Sequence, residues 1–311
     1  TSYNKETQEY SVSMVSKGND ELTWETKKSW NFGVDFSMFN YRLNGSVEVY
    51  TGTTSDLLWS KTLPLSSGLT VTSYPANVGK LRNSGIEVTL DGTIVKTKDL
   101  TWSLNMSLAH NKNEVLELEE SIRETGLRSS RDIVREGGSL CQAYMVKYAG
   151  VGKTNGRAQY WKAYTTDENG NYVALKNTYG DGAITKEELT YDITEASLYD
   201  CGDVLPTVTG GFGTTLNAYG FDLSAQFAFQ LGGKFYDGQY QALMSNGQEQ
   251  GFAMHKDLLN AWSPENPNSD IPRLSTAAVD DPGVKSQTTQ DRFLTSSNYL
   301  SLSNLTVGYT L

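Results

Sequence analysis

The stretch of the chain that decides the fold lies at residues 77–91 and reads Asn77-Val78-Gly79-Lys80-Leu81-Arg82-Asn83-Ser84-Gly85-Ile86-Glu87-Val88-Thr89-Leu90-Asp91. Glycines punctuate its first half, and its second half alternates between apolar and polar side chains. Ile86, Val88 and Leu90 therefore point to one face of a strand, and the residues between them point to the other. The pattern predicts that 77–82 closes a loop, that the chain turns at Gly85, and that the strand separates apolar from aqueous surroundings.

The same period-two alternation recurs in other parts of the chain, and no helical periodicity of comparable length competes with it. It is found at residues 30–38, 41–49, 102–108, 221–229 and 300–309. In the last of these segments the apolar phase slips between Leu302 and Leu305, which predicts a β-bulge. The chain is therefore predicted to be all-β and antiparallel.

Short and long connections alternate between these strands. Short turns are predicted near Asn40, at 91–100 and at 217–220, and long segments at about 53–76, 113–205 and 232–296. An up-and-down transmembrane β-barrel has short turns at one end and long loops at the other. A soluble β-sandwich rarely places such long connections at one end only. The alternation therefore predicts part of a transmembrane β-barrel with long extracellular loops.

The composition fits this prediction and excludes several other classes of protein. The 311 residues include 18 Tyr and 29 Gly but only 7 Pro, and 38% are hydrophobic. No apolar run approaches the roughly 18 residues of a membrane helix, but a barrel strand needs only every second residue to be apolar. A net charge of −10 argues against binding nucleic acid. Cys141 and Cys201 are equally compatible with a disulfide in an oxidising compartment and with two separate thiols.

Catalytic motifs are absent from the sequence. There is no nucleophile elbow, no HExxH helix and no Walker loop, and the two histidines, His110 and His255, are isolated. No enzymatic activity is therefore predicted.

Several ordered motifs resemble the SusC-like (RagA-like) TonB-dependent outer-membrane transporters of the Bacteroidota. Gly18-Asn19-Asp20-Glu21-Leu22-Thr23-Trp24-Glu25 resembles the family's entry to a strand, and Asn77-Val78-Gly79 with Asn83-Ser84-Gly85-Ile86-Glu87 resembles its signature. Further matching segments are 102–118, 202–212, 232–237, Trp262 with Pro264, 271–273 and 299–309. The number, order and spacing of these matches carry the resemblance.

The resemblance implies a 22-stranded barrel of which this chain is a C-terminal-side portion. The plug domain, the early strands and the final strands are then absent from this chain, and the rest of the same barrel becomes its first partner. The family imports oligosaccharides or peptides across the bacterial outer membrane with a SusD-like surface lipoprotein, and TonB acts through the plug. The alternative is a secreted all-β carbohydrate-binding or adhesion domain.

The predicted barrel and the resemblance imply two sets of functional residues, one facing membrane lipid and one contacting cargo. Six apolar residues are expected to face membrane lipid: Phe32, Val34, Phe36, Leu104, Leu223 and Phe227. Aromatic residues in the long loops are candidates for stacking on cargo: Tyr144, Tyr148, Tyr160, Trp161, Tyr164, Tyr236 and Trp262. The competing interpretation, that these aromatics fold the loops or pack against the lipoprotein, is favoured by general interface composition.

Two further patterns are weaker. Aromatic residues near predicted strand ends, among them Trp24, Trp30, Tyr50 and Trp59, suggest interfacial girdles. Asn177, Asp181 and Glu188 occupy positions one, five and twelve of a calcium loop, but Tyr179 stands where a polar ligand belongs. An ordinary acidic turn is the simpler interpretation, so no cofactor is predicted, with calcium as the one candidate.

Overall fold

The computed structural model describes residues 2–4, 9–11, 17–63, 65–69, 71–179, 182–244, 253–275 and 289–310. The strands within these ranges are, in chain order, β1 (Ser2–Asn4), β2 (Glu9–Ser11), β3 (Thr26–Met38), β4 (Leu43–Ser55), β5 (Leu58–Thr62), β6 (Ser73–Asn77), β7 (Gly79–Lys96), β8 (Leu100–Leu118), β9 (Leu127–Arg128), β10 (Asp132–Val134), β11 (Gln142–Val146), β12 (Tyr148–Val151), β13 (Ala158–Thr166), β14 (Tyr172–Leu175), β15 (Lys186–Thr190), β16 (Leu198–Asp203), β17 (Val208–Ala218), β18 (Phe221–Leu231), β19 (Lys234–Tyr236), β20 (Leu294–Ser296) and β21 (Tyr299–Tyr309).

Helices are few and short in the described residues. The α-helices are α1 (Glu120–Arg123) and α2 (Gly238–Leu243), and 3-10 turns lie at Leu65–Ser67, Lys256–Asn260 and Asp291–Phe293. None of the helices in these ranges has the length and apolar character needed to cross a membrane. The all-β fold class predicted from the alternation is confirmed.

Seven long strands form one antiparallel sheet in the order β21-β18-β17-β8-β7-β4-β3. We call it the wall sheet. Each inner strand pairs with the wall strand before it and the one after it in the chain, and β3 and β21 lie at the two edges. The sheet is therefore an up-and-down meander, as predicted. Its strands have 11 to 19 residues. Tilted strands of about 9–11 residues suffice to cross the hydrocarbon core of a bilayer.

The strand register brings the apolar positions of the seven strands onto one side of the wall sheet, which we call the apolar face. One row across the sheet consists of Phe36, Gly45, Leu90, Met106, Phe212, Phe227 and Leu302. Much of this face is uncovered, since the side chain of Trp30 is 80% exposed and that of Phe32 is 71% exposed. A soluble domain would bury such a surface.

The opposite, polar face carries a ladder of side-chain hydrogen bonds between neighbouring strands. Asn31 Nδ2 donates to Glu48 Oε2 at 3.2 Å, and the hydroxyls of Ser46 and Thr89 lie 2.6 Å apart. The amides of Asn105 of β8 and Gln226 of β18 also exchange hydrogen bonds, and these pass over Gly213 of the intervening strand β17. This face is therefore suited to contact with water.

Short connections close one end of the wall sheet and long connections leave from the other. The turn between β3 and β4 uses left-handed backbone at Phe39, Asn40 and Tyr41, with φ of 56°, 55° and 64°. The predicted bulge is confirmed in β21, because Leu302 pairs with Phe227 and Asn304 with Gln226, which leaves Ser303 as the extra residue.

The ladders of the wall sheet continue beyond the apolar positions towards the long connections. β7 begins at Gly79 and β8 ends at Leu118, whereas the sequence pattern placed a loop up to about 82 and another from about 113. Charged cross-strand pairs, Lys80 with Glu117 and Arg82 with Glu114, extend the ladder there. The alternation of apolar residues does not reveal charged pairs of this kind. Strand ends predicted from that alternation therefore fall short of the observed ones.

The expectation of a turn at Gly85 is wrong, because Gly85 lies in the middle of β7. A Cβ atom on Gly85 would lie 2.4 Å from the carbonyl oxygen of His110 and 2.5 Å from the hydroxyl of Tyr50. The position is occupied by glycine because the Tyr50 side chain lies over it, where its hydroxyl donates to Asn111 Oδ1. Close packing, and not a turn, explains this residue.

The connection between β8 and β17, residues 119–207, folds into a body of its own that we call the loop body. It contains the sheet β16-β11-β10-β9 and a second sheet in which β12, β14 and β15 all pair with β13. One apolar core joins the two sheets and includes Met145, Ala163, Leu175, Tyr199 and Cys201. The long connection is thus a packed structure and not an open loop.

Candidate functional site

The loop body packs over the polar face of the wall sheet at its long-connection end. Val134 of β10 shares an apolar cluster with Leu81 of β7 and with Val115 of β8, both of which lie on the polar face. The backbone N–H of Leu140 also donates to Asn113 Oδ1 at 2.8 Å. These contacts place the loop body above the water-facing side of the sheet.

A cleft of about 770 Å³ opens beside this apolar cluster. One wall is the hairpin of β5 and β6, which contributes Trp59, Lys61 and Tyr74. The other wall is the first part of the loop body, and its polar lining residues are Ser121, Arg128, Ser129 and Asp132. We call this site the loop cleft.

The charges around the loop cleft are partly fixed by hydrogen bonds. Lys61 Nζ lies 2.6 Å from a carboxylate oxygen of Glu119, and this hydrogen bond holds the pKa of Glu119 below its usual range. Ser129 donates to Asp132 Oδ2 at 3.3 Å. Arg128 is exposed at the rim. The cleft therefore combines two aromatic rings with a cation and an anion, a set that can stack on and hydrogen-bond to a polar ligand.

Trp59 was expected at a membrane girdle, and this assignment is wrong. It belongs to β5, which pairs with β6 and is not a wall strand. The segment 57–63 is too short for its alternation to distinguish a separate hairpin from the end of a wall strand. The sequence pattern therefore did not single out the loop cleft, although it noted one of its residues.

Two of the aromatic candidates are interior residues of the loop body. The side chain of Tyr160 is 0% exposed and that of Tyr144 is 3% exposed. Tyr160 packs in a core with Val146, Ile193 and Ala196, and the hydroxyl of Tyr144 accepts a hydrogen bond from the backbone N–H of Tyr179. Direct contact between either ring and a cargo would require the loop body to open.

Trp161 and Tyr164 are half-buried on opposite faces of β13. Trp161 packs against the joint core of the two sheets, and Lys147 Nζ lies 5.8 Å from its ring centroid. Tyr164 makes an edge contact with Tyr172 at 6.5 Å between centroids. The sequence placed both aromatics in one long loop, whereas the structure places them on one strand, with their side chains on opposite faces.

Tyr148, Tyr236 and Trp262 connect the loop body to the connection between β18 and β21. The backbone N–H of Tyr148 donates to Asp291 Oδ1 at 2.7 Å, and burial raises the pKa of Asp291. Tyr236 packs edge-on against Phe293, with Arg131 over its ring at 4.2 Å. Trp262 covers Gly156, and its indole N–H donates to the carbonyl of Lys153.

The residues of the calcium pattern do not form a described site. Asp181 lies outside the described residues, and Asn177 makes an isolated bridge to Leu198. Glu188 lies in β15 and forms an ion pair with Lys186. Across the ranges that the structure covers, no group of three or more His, Cys, Asp or Glu side chains could hold a metal ion.

The two cysteines are both free thiols. Cys201 is buried in the joint core of the loop body, and its Sγ lies 3.3 Å from the carbonyl oxygen of Tyr199. Burial raises the pKa of the Cys201 thiol to about 11, and burial also raises that of Cys141. Of the two alternatives, a disulfide and two separate thiols, the structure shows the separate thiols.

The six residues expected to face lipid all lie on the apolar face. The register places Phe32, Val34 and Phe36 of β3 on the same side as Leu104 of β8 and Leu223 and Phe227 of β18. Phe212 and Phe227 stack with their ring centroids 4.9 Å apart. The structure therefore brings this set together on one surface, unlike the aromatic set of the loops.

Comparison with known proteins gives one consistent family. Residues 3–132 match a family described as TonB dependent receptor-like, beta-barrel. TonB-dependent receptor P3 of Formosa agariphila is 30% identical over 96% of this chain and 28% of its own length. TonB-dependent receptor SusC of Bacteroides thetaiotaomicron is 27% identical over 97% of this chain and 27% of its own length.

A solved structure of the RagAB peptide transporter is similar to this chain as well. It superposes with a TM-score of 0.74 at 28% identity, covering 99% of this chain and 31% of the other. The chain thus spans less than a third of the length of the relatives it matches.

Proposed function

We propose that this chain belongs to the β-barrel family of the TonB-dependent receptors of the bacterial outer membrane, and that it forms part of an active importer of bulky nutrients. The cargo would be oligosaccharides or peptides. The observation that carries the proposal is the wall sheet, which has an uncovered apolar face on one side and a hydrogen-bonded polar face on the other.

The apolar face would contact membrane lipid and the polar face would line the water-filled lumen. The exposed side chains of Phe32 and Val34, together with the stacked rings of Phe212 and Phe227, support this assignment. A secreted adhesion domain is not favoured, because it would have to keep the same apolar surface in water.

The wall sheet would pair with further strands of the same barrel. Within the described residues β3 and β21 each have a wall strand on one side only. Each unpaired backbone group in hydrocarbon costs several kcal/mol, so both edges require partners. This chain spans less than a third of the length of its relatives, which leaves room for further strands. We propose that the complete barrel has 22 strands and contains a plug, through which TonB would act.

The loop cleft is our candidate for cargo contact, and the outer surface of the loop body is our candidate for contact with a SusD-like lipoprotein. Trp59 offers a flat apolar face for sugar rings or peptide side chains, and Tyr74 offers one face of its ring, since Lys17 Nζ lies 4.6 Å from the ring centroid. Arg128 and Asp132 offer charged partners. The long-connection end would face the exterior, where such a lipoprotein would meet the barrel. The resemblance of the chain to SusC and to RagAB supports this arrangement.

Uptake in the native host tests the proposal. The full-length gene is deleted, and the import of labelled oligosaccharide and peptide pools is measured with and without the TonB complex. We expect import of one pool to be lost in both cases, and that pool then identifies the cargo. Unchanged import of both pools would contradict the proposed function.

The loop cleft is tested in the full-length protein with Trp59→Ala and Arg128→Ala. Loss of one stacking ring should weaken cargo binding by about five- to tenfold. Tyr219→Ala is the matched control, because Tyr219 is an exposed aromatic residue at the opposite, short-turn end of the wall sheet. If the Trp59 variant and the control bound cargo with equal affinity, the proposal that the loop cleft contacts cargo would be contradicted.

A further inference from the structure

The apolar face of the wall sheet contains a groove that the import function does not use. Its volume is about 740 Å³, and it lies across β3, β4, β7 and β8 near their long-connection ends. Trp30 and Phe32 of β3 form one side, and His110 and Lys112 of β8 form the other. The groove is therefore a feature of the membrane-facing surface.

Side-chain size explains the groove. The register places Thr51 and Ser84 between Trp30 and Lys112 in one row across the four strands. Neighbouring strands lie about 4.8 Å apart, so the two small side chains form a floor that is two strands wide. The next row, Phe32, Val49, Ile86 and His110, continues the groove along the strands. Its shape suits an extended hydrocarbon chain.

Cations stand at the long-connection end of this groove. Lys28, Arg82 and Lys112 all occupy positions of the apolar face, in the rows at and directly above Trp30. Glu114 is the carboxylate between two of them, with Arg82 Nη2 at 2.5 Å and Lys112 Nζ at 3.0 Å. Two of the three cations are thus paired with one carboxylate, and Lys28 lies in the same row as Arg82, two strands away.

The exposure of these groups leaves them available to a ligand. The side chain of Lys112 is 61% exposed and that of Arg82 is 42% exposed, whereas that of Glu114 is only 19% exposed. Basic side chains at the edge of the hydrocarbon region bind the phosphate groups of lipids. Arginine is especially suited because its guanidinium group can hold phosphate with two parallel hydrogen bonds.

We propose that this groove and the cations above it bind one molecule of lipid A, the phosphorylated and acylated sugar of the outer leaflet. An acyl chain would lie in the groove between Trp30 and His110. A phosphate group would be held by Lys28, Arg82 and Lys112. The inference presupposes the lipid-facing orientation proposed above, but it is independent of the nature of the cargo.

Lipid A is favoured over a phospholipid by the position of the cations. They lie at the end of the wall sheet from which the long connections leave, which is the external side of the outer membrane in the proposed orientation. The cations of the short-turn end, Arg42, Lys96 and Lys98, do not line this groove.

The test uses the full-length protein, purified from outer membranes in mild detergent and reconstituted with purified lipid A. Mass spectrometry then measures the lipid A retained per barrel after washing. Lys28→Gln combined with Lys112→Gln removes two cations and leaves the Arg82–Glu114 pair in place. We expect retention to fall by about fivefold, because two charge-assisted contacts to phosphate are lost.

Two further variants complete the experiment. Lys96→Gln combined with Lys98→Gln removes the same charge at the other end of the wall sheet and should retain lipid A as the unmodified protein does. Ser84→Phe fills the floor of the groove without changing charge and should also reduce retention. Heat-modifiable migration on gels verifies that each variant has assembled its barrel, and cargo uptake is measured separately.

Three outcomes would overturn the inference. The first is equal retention of lipid A by the Lys28 and Lys112 variant and by its control. The second is equal retention of dephosphorylated lipid A by the unmodified protein, since the cations would then have no role. The third is recovery of phospholipid in place of lipid A. Loss of cargo uptake with intact lipid A binding would contradict the proposed function but not this site.

Discussion

Asn77 holds three segments together through its side-chain amide. Its Oδ1 accepts from the backbone N–H of Thr23 at 2.9 Å, and its Nδ2 donates to the carbonyls of Thr23 and Asp56. Two residues later, a Cβ on Gly79 would lie 2.0 Å from the carbonyl oxygen of Glu117. Both residues of this motif are thus explained by the start of β7, where the chain enters the wall sheet.

Gly45 provides a prediction at the scale of one atom. A Cβ there would lie 2.6 Å from the backbone oxygen of Thr89 and 2.7 Å from the ring of Phe36. Gly45→Ala should therefore destabilise the barrel, by about 1–3 kcal/mol as overpacking usually does. The measurement is the temperature at which the full-length barrel unfolds on heat-modifiable gels.

Gly52 is the matched control for this prediction, because it lies in the same strand, β4. Its nearest contact from a new Cβ would be the Cβ of Ser29 at an ordinary 3.4 Å. Gly52→Ala should leave the unfolding temperature unchanged or raise it slightly, since alanine restricts the unfolded chain. Equal destabilisation by both substitutions would mean that the loss of glycine itself, and not crowding, determines the effect.

Cys201 provides a prediction about pH. Burial disfavours the thiolate, so a pKa of about 11 leaves only about a thousandth of the thiol ionised at pH 8. Alkylation of Cys201 by iodoacetamide in the folded protein should therefore be very slow at pH 8 and should accelerate as the pH rises towards 11. Peptide mass spectrometry measures the labelled fraction.

Cys141 and the unfolded protein are the controls for that experiment. Cys141 is only partly buried, so it should react faster than Cys201, and in denaturant both should react at the rate of an ordinary thiol. Complete labelling of Cys201 within minutes at pH 8, or a disulfide between the two cysteines, would contradict the structure.

At the scale of one element, β18 carries both faces of the wall sheet. Phe221, Leu223, Phe227 and Phe229 lie on the apolar face, whereas Asp222, Ser224, Gln226 and Gln230 lie on the polar face. Strict period-two alternation made this division readable from the sequence. The division fails only where a bulge intervenes, as at Ser303 in the neighbouring strand.

Phe227→Arg tests the facing of β18. A cation near the middle of the bilayer on the lipid side of a barrel costs about 2–4 kcal/mol, and the stacking of Phe227 on Phe212 is lost as well. We expect the full-length variant to assemble poorly, with less heat-modifiable protein in outer-membrane fractions. The same arginine at Ser224, on the polar face, should be tolerated, so equal assembly of the two variants would refute the assignment.

The small strands of the long connections could not be predicted as the wall strands were. β9 has two residues and β10 and β19 have three each, which is too short for alternation to be recognised. Their positions depend on tertiary contacts, such as Val134 with Leu81 and Val115. For the same reason the loop cleft, which lies between such strands, did not emerge from the sequence.

At the scale of the whole molecule, the exposed apolar face predicts a requirement for detergent. Trp30, Phe32 and Val307 are each more than two-thirds exposed on that face, and water would drive such surfaces together. The full-length protein should be monodisperse in detergent and should aggregate in plain buffer, as measured by light scattering. A monodisperse preparation without detergent would contradict the membrane location of the wall sheet.

The sequence by itself determined the architecture. Alternation with period two, carried by residues such as Ile86, Val88 and Leu90, fixes which side chains share a face, because successive residues of any strand point in opposite directions. The alternation of short turns with long connections fixes the up-and-down order. Both patterns are local properties of the chain, so they can be read from the sequence without knowing its tertiary contacts.

Only the tertiary structure decided what the long connections do. It made Tyr144 and Tyr160 interior residues, moved Trp59 from a membrane girdle to the loop cleft, and kept Cys141 and Cys201 apart. It also grouped Lys28, Arg82 and Lys112 at one end of a groove. Each of these results depends on residues far apart in the chain meeting across strands, and local periodicity carries no information about such meetings.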